Sequence, residues 1–233
     1  MVVYVTGGQL RVIDNLFDKY REAPSSIGRI INAYDSPRCP RGAIPYVVDN
    51  GAYGCFTRGE EWDAERFLEG LDKTLYGPAP EWIVVPDVVG NKGGTITQWC
   101  NWADLLRETY HAPLAFAVQD GMIPGDVPVD ADVVFIGGTT DWKWANLERF
   151  CDVFKRVHCA RVNTFKQLNI CHDAGCESVD GTGFFRGGEF RIKDLTIYLA
   201  CRAGELPLHQ QTTFAALAGL ALVGIDLWCT GRV

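Results

Sequence analysis

The feature that most constrains this chain is a repeated pattern: a short, unbroken apolar run rich in β-branched residues that ends in a polar side chain and a glycine or turn. It occurs at 46–48 before Asp49-Asn50-Gly51, at 82–85 before Pro86-Asp87, at 113–118 before Gln119-Asp120-Gly121, at 133–136 before Gly137-Gly138, and around Val179 before Asp180-Gly181. A run without polar alternation is the signature of a strand covered on both faces, and such strands belong to parallel sheets layered with helices.

Stretches with helical periodicity alternate with these runs. Leu10, Ile13, Leu16, Phe17 and Tyr20 recur at helical spacing after a first strand at 1–5, and a second strand is expected at 29–33. Further helices are expected at 62–75, 97–110, 146–157 and 165–173, with a short seventh strand at 159–163. The run around Val179 is the eighth strand, and helices at 192–203 and 213–222 would close the fold. With 233 residues and 47% hydrophobic content, the chain can enclose one sizeable core. We therefore expect a single domain over residues 1–233, a compact α/β fold of the (β/α)8 TIM-barrel type with closing C-terminal helices. A doubly wound open sheet is the structural alternative. No GxGxxG or GxxxxGK[ST] opens any helix, so dinucleotide and Walker-type phosphate binding have no support.

Composition narrows the function classes. No apolar run approaches the roughly 18 residues that span a bilayer, and no basic stretch with a long apolar core marks a secretory signal, so the expectation is a soluble, cytoplasmic protein. The nine cysteines are scattered singly and no CxxC pair occurs, which favours reduced, mostly buried thiols. Cys171, His172 and Cys176 lack a second ligand pair for tetrahedral coordination, so neither metal nor cofactor is expected. The formal charge of −7 does not advertise a polynucleotide binder. Basic residues do cluster locally, at Arg29, Arg38 and Arg41, at Lys155, Arg156 and Arg161, and at Arg186, Arg191 and Lys193. Lys155 and Arg156 read as a solvated helix face; for the loop arginines a solvated surface and a ligand contact stand even.

In a barrel every strand end meets on one face, where Asp49, Asp87, Gln119, Gly137, Gly138 and Asp180 would ring a single pocket. Singly, each has an ordinary reading as a loop cap, a hydrogen-bonder or a turn glycine. Jointly they point to a site, because crowded carboxylates repel unless a ligand or hydrogen bonds satisfy them.

The ordered set VVDNGAY, VVPDVVG, AVQDG, FIGGTT and SVDGT resembles the tRNA-guanine transglycosylase superfamily, and most of all its short deazapurine DNA-modification protein A branch, known from viral and bacterial gene sets. The resemblance runs from Val47 to Gly183. It implies a base-exchanging pentosyltransferase that replaces guanine in DNA with a 7-deazaguanine such as preQ0, with no cofactor. By motif position, Asp180 is the implied nucleophile and Asp49 the general base. Asn50 and Tyr53 fall beside them, Tyr53 on the aromatic position that stacks on the purine. Asp87 and Gln119 match the pair that hydrogen-bonds the guanine edge, and Gly137 and Gly138 the backbone that approaches its carbonyl oxygen. Arg161, Asn163 and Arg186 would hold backbone phosphates, and the Thr182 hydroxyl would help position the nucleophile. Asn50 and Ala52 depart from the serine and second glycine of the family motif, and no cysteine-rich zinc module surrounds Cys201, His209 or Cys229. The implied partners are DNA with the guanine flipped out or single-stranded and a free 7-deazaguanine; a homodimer or modification-complex partners are also allowed, in a host's cytoplasm if the chain is viral. A tRNA-guanine transglycosylase, a barrel nucleoside glycosylase that uses water, and a non-catalytic base-binding or scaffold barrel remain as alternatives.

Overall fold

A computed structural model describes residues 1–7, 10–40, 42–186 and 189–206. Arg41 and the helix expected at 213–222 lie outside the described residues, as does the side chain of Arg191. The strands are β1 (Val2–Val5), β2 (Ser26–Asn32), β3 (Tyr46–Asp49), β4 (Ile83–Val84), β5 (Leu114–Val118), β6 (Val133–Ile136), β7 (Val157–Cys159) and β8 (Ser178–Gly181). All pair in parallel in chain order, and β1 pairs with β8 so that Tyr4 lies beside Asp180. The sheet is a closed barrel, which removes the open-sheet alternative.

Helices α1 (Leu10–Tyr20), α2 (Ala52–Arg58), α3 (Ala64–Thr74), α4 (Lys92–Tyr110), α5 (Thr140–Cys151) and α6 (Phe165–Asp173) occupy five of the connections, α2 and α3 sharing one, and α7 (Gly183–Arg186) and α8 (Glu189–Arg202) follow β8. Among the described residues β2 runs to β3 without a helix, and β5 to β6 has only a 3-10 turn at Pro124–Asp126. Their apolar faces and the outward strand residues form the larger core, including Ile13, Phe67, Leu106, Phe150 and Leu199. Strand residues two apart share a face, so Tyr4, Ile30, Val47, Trp82, Val84, Ala115, Ala117 and Val133 form a second cluster inside the barrel. Large and small side chains alternate around this inner layer. The Tyr4 ring fits because Gly28 on the neighbouring strand has no Cβ, which would lie 2.5 Å from two Tyr4 ring carbons. Tyr4 meets Trp82 edge-on at 5.9 Å, and Trp82 meets Phe135 edge-on at 6.1 Å. These aromatics plug the barrel below the carboxyl ends of the strands.

Several boundaries differ from expectation, each for a physical reason. Strand β4 is two residues long, not the four of the 82–85 run, since Pro86 has no N–H for the ladder. Helix α4 begins five residues before the expected 97, with Gly93 and Gly94 in its first turn, where the Asn91 side chain accepts from the Gly94 N–H at 2.9 Å. Helix α2 was hidden by its glycines: Gly51 takes a left-handed φ of 77° at its N-cap. The expected helix at 146–157 starts instead at Thr140 and ends at Cys151, because a buried lysine, Lys143, interrupts the apolar stripe it forms with Leu147 and Phe150. Residues 155 and 156 are therefore loop, not a helix face, and Arg156 is tied to Glu177 at 3.0 Å. The seventh strand runs 157–159 instead of 159–163, so Arg161 and Asn163 lie in the loop beyond it. Arg29 is a strand residue, 8% exposed and 3.3 Å from Asp14.

Candidate active site

The strand ends open into a cavity of about 670 Å³, within the range of small-molecule sites. Asp49, Asn50, Tyr53, Asp87, Gln119, Gly137, Gly138, Arg161, Asn163, Asp180 and Arg186 all border it. Barrel closure explains this convergence: the residues lie at or just beyond the carboxyl ends of the six strands β3 to β8, or on the helix that follows β3 or β8.

Asp180 lies in β8, facing the interior like Ser178 two residues earlier, and is 7% exposed. Its Oδ1 accepts from the Arg161 backbone N–H at 3.2 Å and sits 3.0 Å from His158 Nε2. Arg161 presents that N–H from a left-handed conformation, φ 59°, which costs a non-glycine residue on the order of 1 kcal/mol or more. Lys143 helps hold this backbone, because its ammonium donates to the carbonyl oxygen of Ala160.

Asp49 ends β3. Burial first, then the negative charges of Asp180 and Asp87, push its pKa up to about 7, against a partial offset from the backbone N–H groups of Gly51 and Asn50. A carboxyl group with that proton affinity can both give and take a proton near neutrality.

Asp87 is likewise raised by burial, opposed by hydrogen bonds from Asn50 and Gln119 and by the charge of Arg161. Asn50 Nδ2 donates to Asp87 Oδ1 at 2.9 Å, and Gln119 Nε2 donates to Oδ2 at 2.7 Å. The remaining amide groups are also engaged. Asn50 Nδ2 donates to the Val85 carbonyl at 2.9 Å and its Oδ1 accepts from the Ala52 N–H at 2.8 Å. Gln119 Oε1 accepts from the Gly90 N–H at 2.9 Å. Both amides thus clamp Asp87 in place, and its carboxylate, with two of about four lone-pair sites used, keeps the largest acceptor capacity of the trio for a ligand.

The guanidinium of Arg161 donates to the carbonyl oxygens of Gly137 and Gly138 and lies 4.7 Å over the Tyr53 ring. Gly138, at φ 63°, tolerates no side chain, since a Cβ would sit 2.5 Å from Asp120 Oδ1 and 2.6 Å from the Trp142 ring. Asn163 Oδ1 accepts from the Gly183 N–H at 2.6 Å and so pins the turn after Asp180. Arg186 is exposed at the mouth, where Arg38 and Arg58 also border the cavity.

Sequence reasoning missed His158, Ser178 and Lys143. His158 has 0% exposure, with Nδ1 2.9 Å from Ser178 Oγ and Nε2 on Asp180. The available signal was parity: a polar residue between Val157 and Cys159 faces the barrel interior if the strand begins at Val157. Among the described residues, no group of three or more His, Cys, Asp or Glu side chains could hold a metal ion, and no helix is long and apolar enough to cross a membrane. Compared with known proteins, the chain matches no family model and no curated protein.

Proposed function

We propose that the protein is a base-exchanging transglycosylase that replaces guanine in DNA with a 7-deazaguanine through a covalent Asp180-glycosyl intermediate. The observation that carries this reading is the meeting of three carboxyl groups with different environments at one cavity: Asp180 held through one oxygen, Asp49 with a pKa near 7, and Asp87 clamped by two amides.

In the first displacement a carboxylate oxygen of Asp180 attacks C1′ from the face opposite the base. The glycosidic bond breaks, its electron pair leaves with guanine, and protonated Asp49 supplies the proton that the departing base takes up. In the second, ionised Asp49 takes the ring-nitrogen proton of the incoming deazaguanine. That nitrogen then attacks C1′, expelling the Asp180 carboxylate and restoring the original anomeric configuration. Asp87 accepts hydrogen bonds from the N–H groups on the guanine edge.

A guanine inside a duplex is out of reach of such a pocket, so the nucleotide must be flipped out or single-stranded, at a cost of a few kcal/mol. Stacking on Tyr53 offsets about 1–3 kcal/mol of it. Because Arg161 covers one face of that ring, the entering base uses the other face or displaces the guanidinium. Arg38, Arg161 and Arg186 around the cavity offer guanidinium groups suited to backbone phosphates, whereas Arg58 is paired with Asp35 and Glu60.

The test is incubation of the protein with a deoxyoligonucleotide and labelled guanine or preQ0, with Asp180→Asn as the control. Label should enter DNA, and a denaturation-resistant protein–DNA adduct should form with wild type and not with the variant. Incorporation into RNA alone, or release of guanine without replacement, rejects the reading.

A further inference from the structure

The lower wall behind Asp180 contains a buried polar chain that the two displacements above do not use. In the paired strands β7 and β8, His158 is the register partner of Ser178, and both face the barrel interior. Asp180, two residues further on, faces the same way, so the imidazole spans from the Ser178 hydroxyl at 2.9 Å to Asp180 Oδ1 at 3.0 Å. Its ring stacks on Phe135 at 4.8 Å with 19° between planes, and meets the edge of Trp82 at 4.8 Å. Packed this way it has no room to turn. A carboxylate only accepts, so matching donors to acceptors puts a proton on Nε2 and lets Nδ1 accept from the Ser178 hydroxyl. His158 does not border the cavity. Its reach to a ligand is only through Asp180.

We propose that His158, locked by Ser178, is a positioning residue that fixes the Asp180 carboxylate so that Oδ2 is the oxygen that attacks the sugar. The inference rests on the reading of Asp180 as nucleophile. His158 Nε2–H and the Arg161 backbone N–H both converge on Oδ1, and among the described residues Oδ2 has no hydrogen-bond partner. Two donors on one oxygen stop rotation about the Cβ–carboxyl bond. They also leave the electron density of the other oxygen unshared. Small errors in attack geometry cost up to about 100-fold in rate, and second donors that orient a reacting group account for losses of about 10–100-fold in the analogous case of metal-ligand support.

The experiment uses the full chain with His158→Phe, His158→Gln and His158→Asn, read by single-turnover formation of the DNA adduct and by KM for DNA. Phenylalanine keeps the aromatic packing and removes the donor. Glutamine carries its amide nitrogen as far out as Nε2, whereas asparagine stops at the position of Nδ1. The expected result is a 10- to 100-fold slower adduct formation for Phe and Asn, recovery to within about threefold of wild type for Gln, and unchanged KM for DNA. Equal rates for wild type and His158→Phe, or loss in all three variants without rescue by Gln, overturn the proposal. A readout independent of exchange is the ¹⁵N spectrum of labelled histidine: an Nε2–H tautomer whose resonances shift in both Ser178→Ala and Asp180→Asn is expected, and an Nδ1–H tautomer or a signal insensitive to Asp180→Asn overturns it. If that coupling is present and wild type exchanges no base, the transglycosylase reading fails and the His158–Asp180 pairing survives.

Discussion

Replacing Asp49 by asparagine should stabilise the protein at the same time as it removes the proton-transfer group. The shape is kept, and the asparagine oxygen can still accept from the backbone N–H groups of Asn50 and Gly51. What disappears is a charge held in a buried site beside Asp87 and Asp180. The folded-state pKa is pushed up from 3.8 to about 7, a rise of about three pH units, and at about 1.4 kcal/mol each this amounts to roughly 4 kcal/mol. The sign follows from linkage. An acid raised on folding is protonated in the folded protein and ionised in the unfolded chain between the two values, so its stabilising contribution is complete below about pH 4. It is lost as pH rises through about 7. Wild type should therefore lose stability over that window, and Asp49→Asn should not. Urea unfolding of both proteins at pH 4, 6 and 8 measures the difference directly. Near pH 4 the two should agree, and at pH 8 the variant should be more stable by up to about 4 kcal/mol. In a chain of this size that corresponds to a melting temperature higher by on the order of 10 °C. A pH-independent difference, or a variant less stable at pH 8, would refute the claim that burial and neighbouring carboxylates hold Asp49 protonated.

Three further outcomes are expected. The base-dependent second displacement should accelerate as pH rises through about 7, where Asp49 becomes ionised; a flat single-turnover profile from pH 5 to 9 would remove Asp49 as the base. Gln119→Leu deprives Asp87 Oδ2 of a donor at 2.7 Å and the Gly90 N–H of its acceptor, so it should cost about 1–3 kcal/mol in chemical denaturation and raise KM for the free base; unchanged values for both would deny the clamp. Arg186→Ala at the mouth should weaken DNA binding similarly across sequences and lower the salt slope by about one, whereas an unaltered slope would place Arg186 off the phosphate path.

Much of the architecture was legible in the residues because burial on both faces leaves a direct trace. A strand such as 133–136 has no polar position, and a following Gly-Gly marks where it must turn. The same trace failed where a polar side chain was buried with its own partner. Lys143 sits in the apolar stripe of α5 because the Ala160 carbonyl satisfies its ammonium, and that displaced the expected helix by six residues and left His158 outside the seventh strand. Asn50 and Gln119 were legible as site residues, but a polar side chain does not announce whether it meets a ligand or another side chain. Only the folded distances assign both amides to Asp87.

Local pattern alone thus determined the alternation of strand and helix, the parallel sheet, and the set of polar groups that end its strands, since these depend on neighbours a few residues apart. Closure of β1 on β8 decided the rest. It brought Asp49, Asp87 and Asp180 within one another's fields, raised the pKa of Asp49, and set His158 behind Asp180. Those properties belong to groups separated by tens of residues, and electrostatic coupling depends on distance through space.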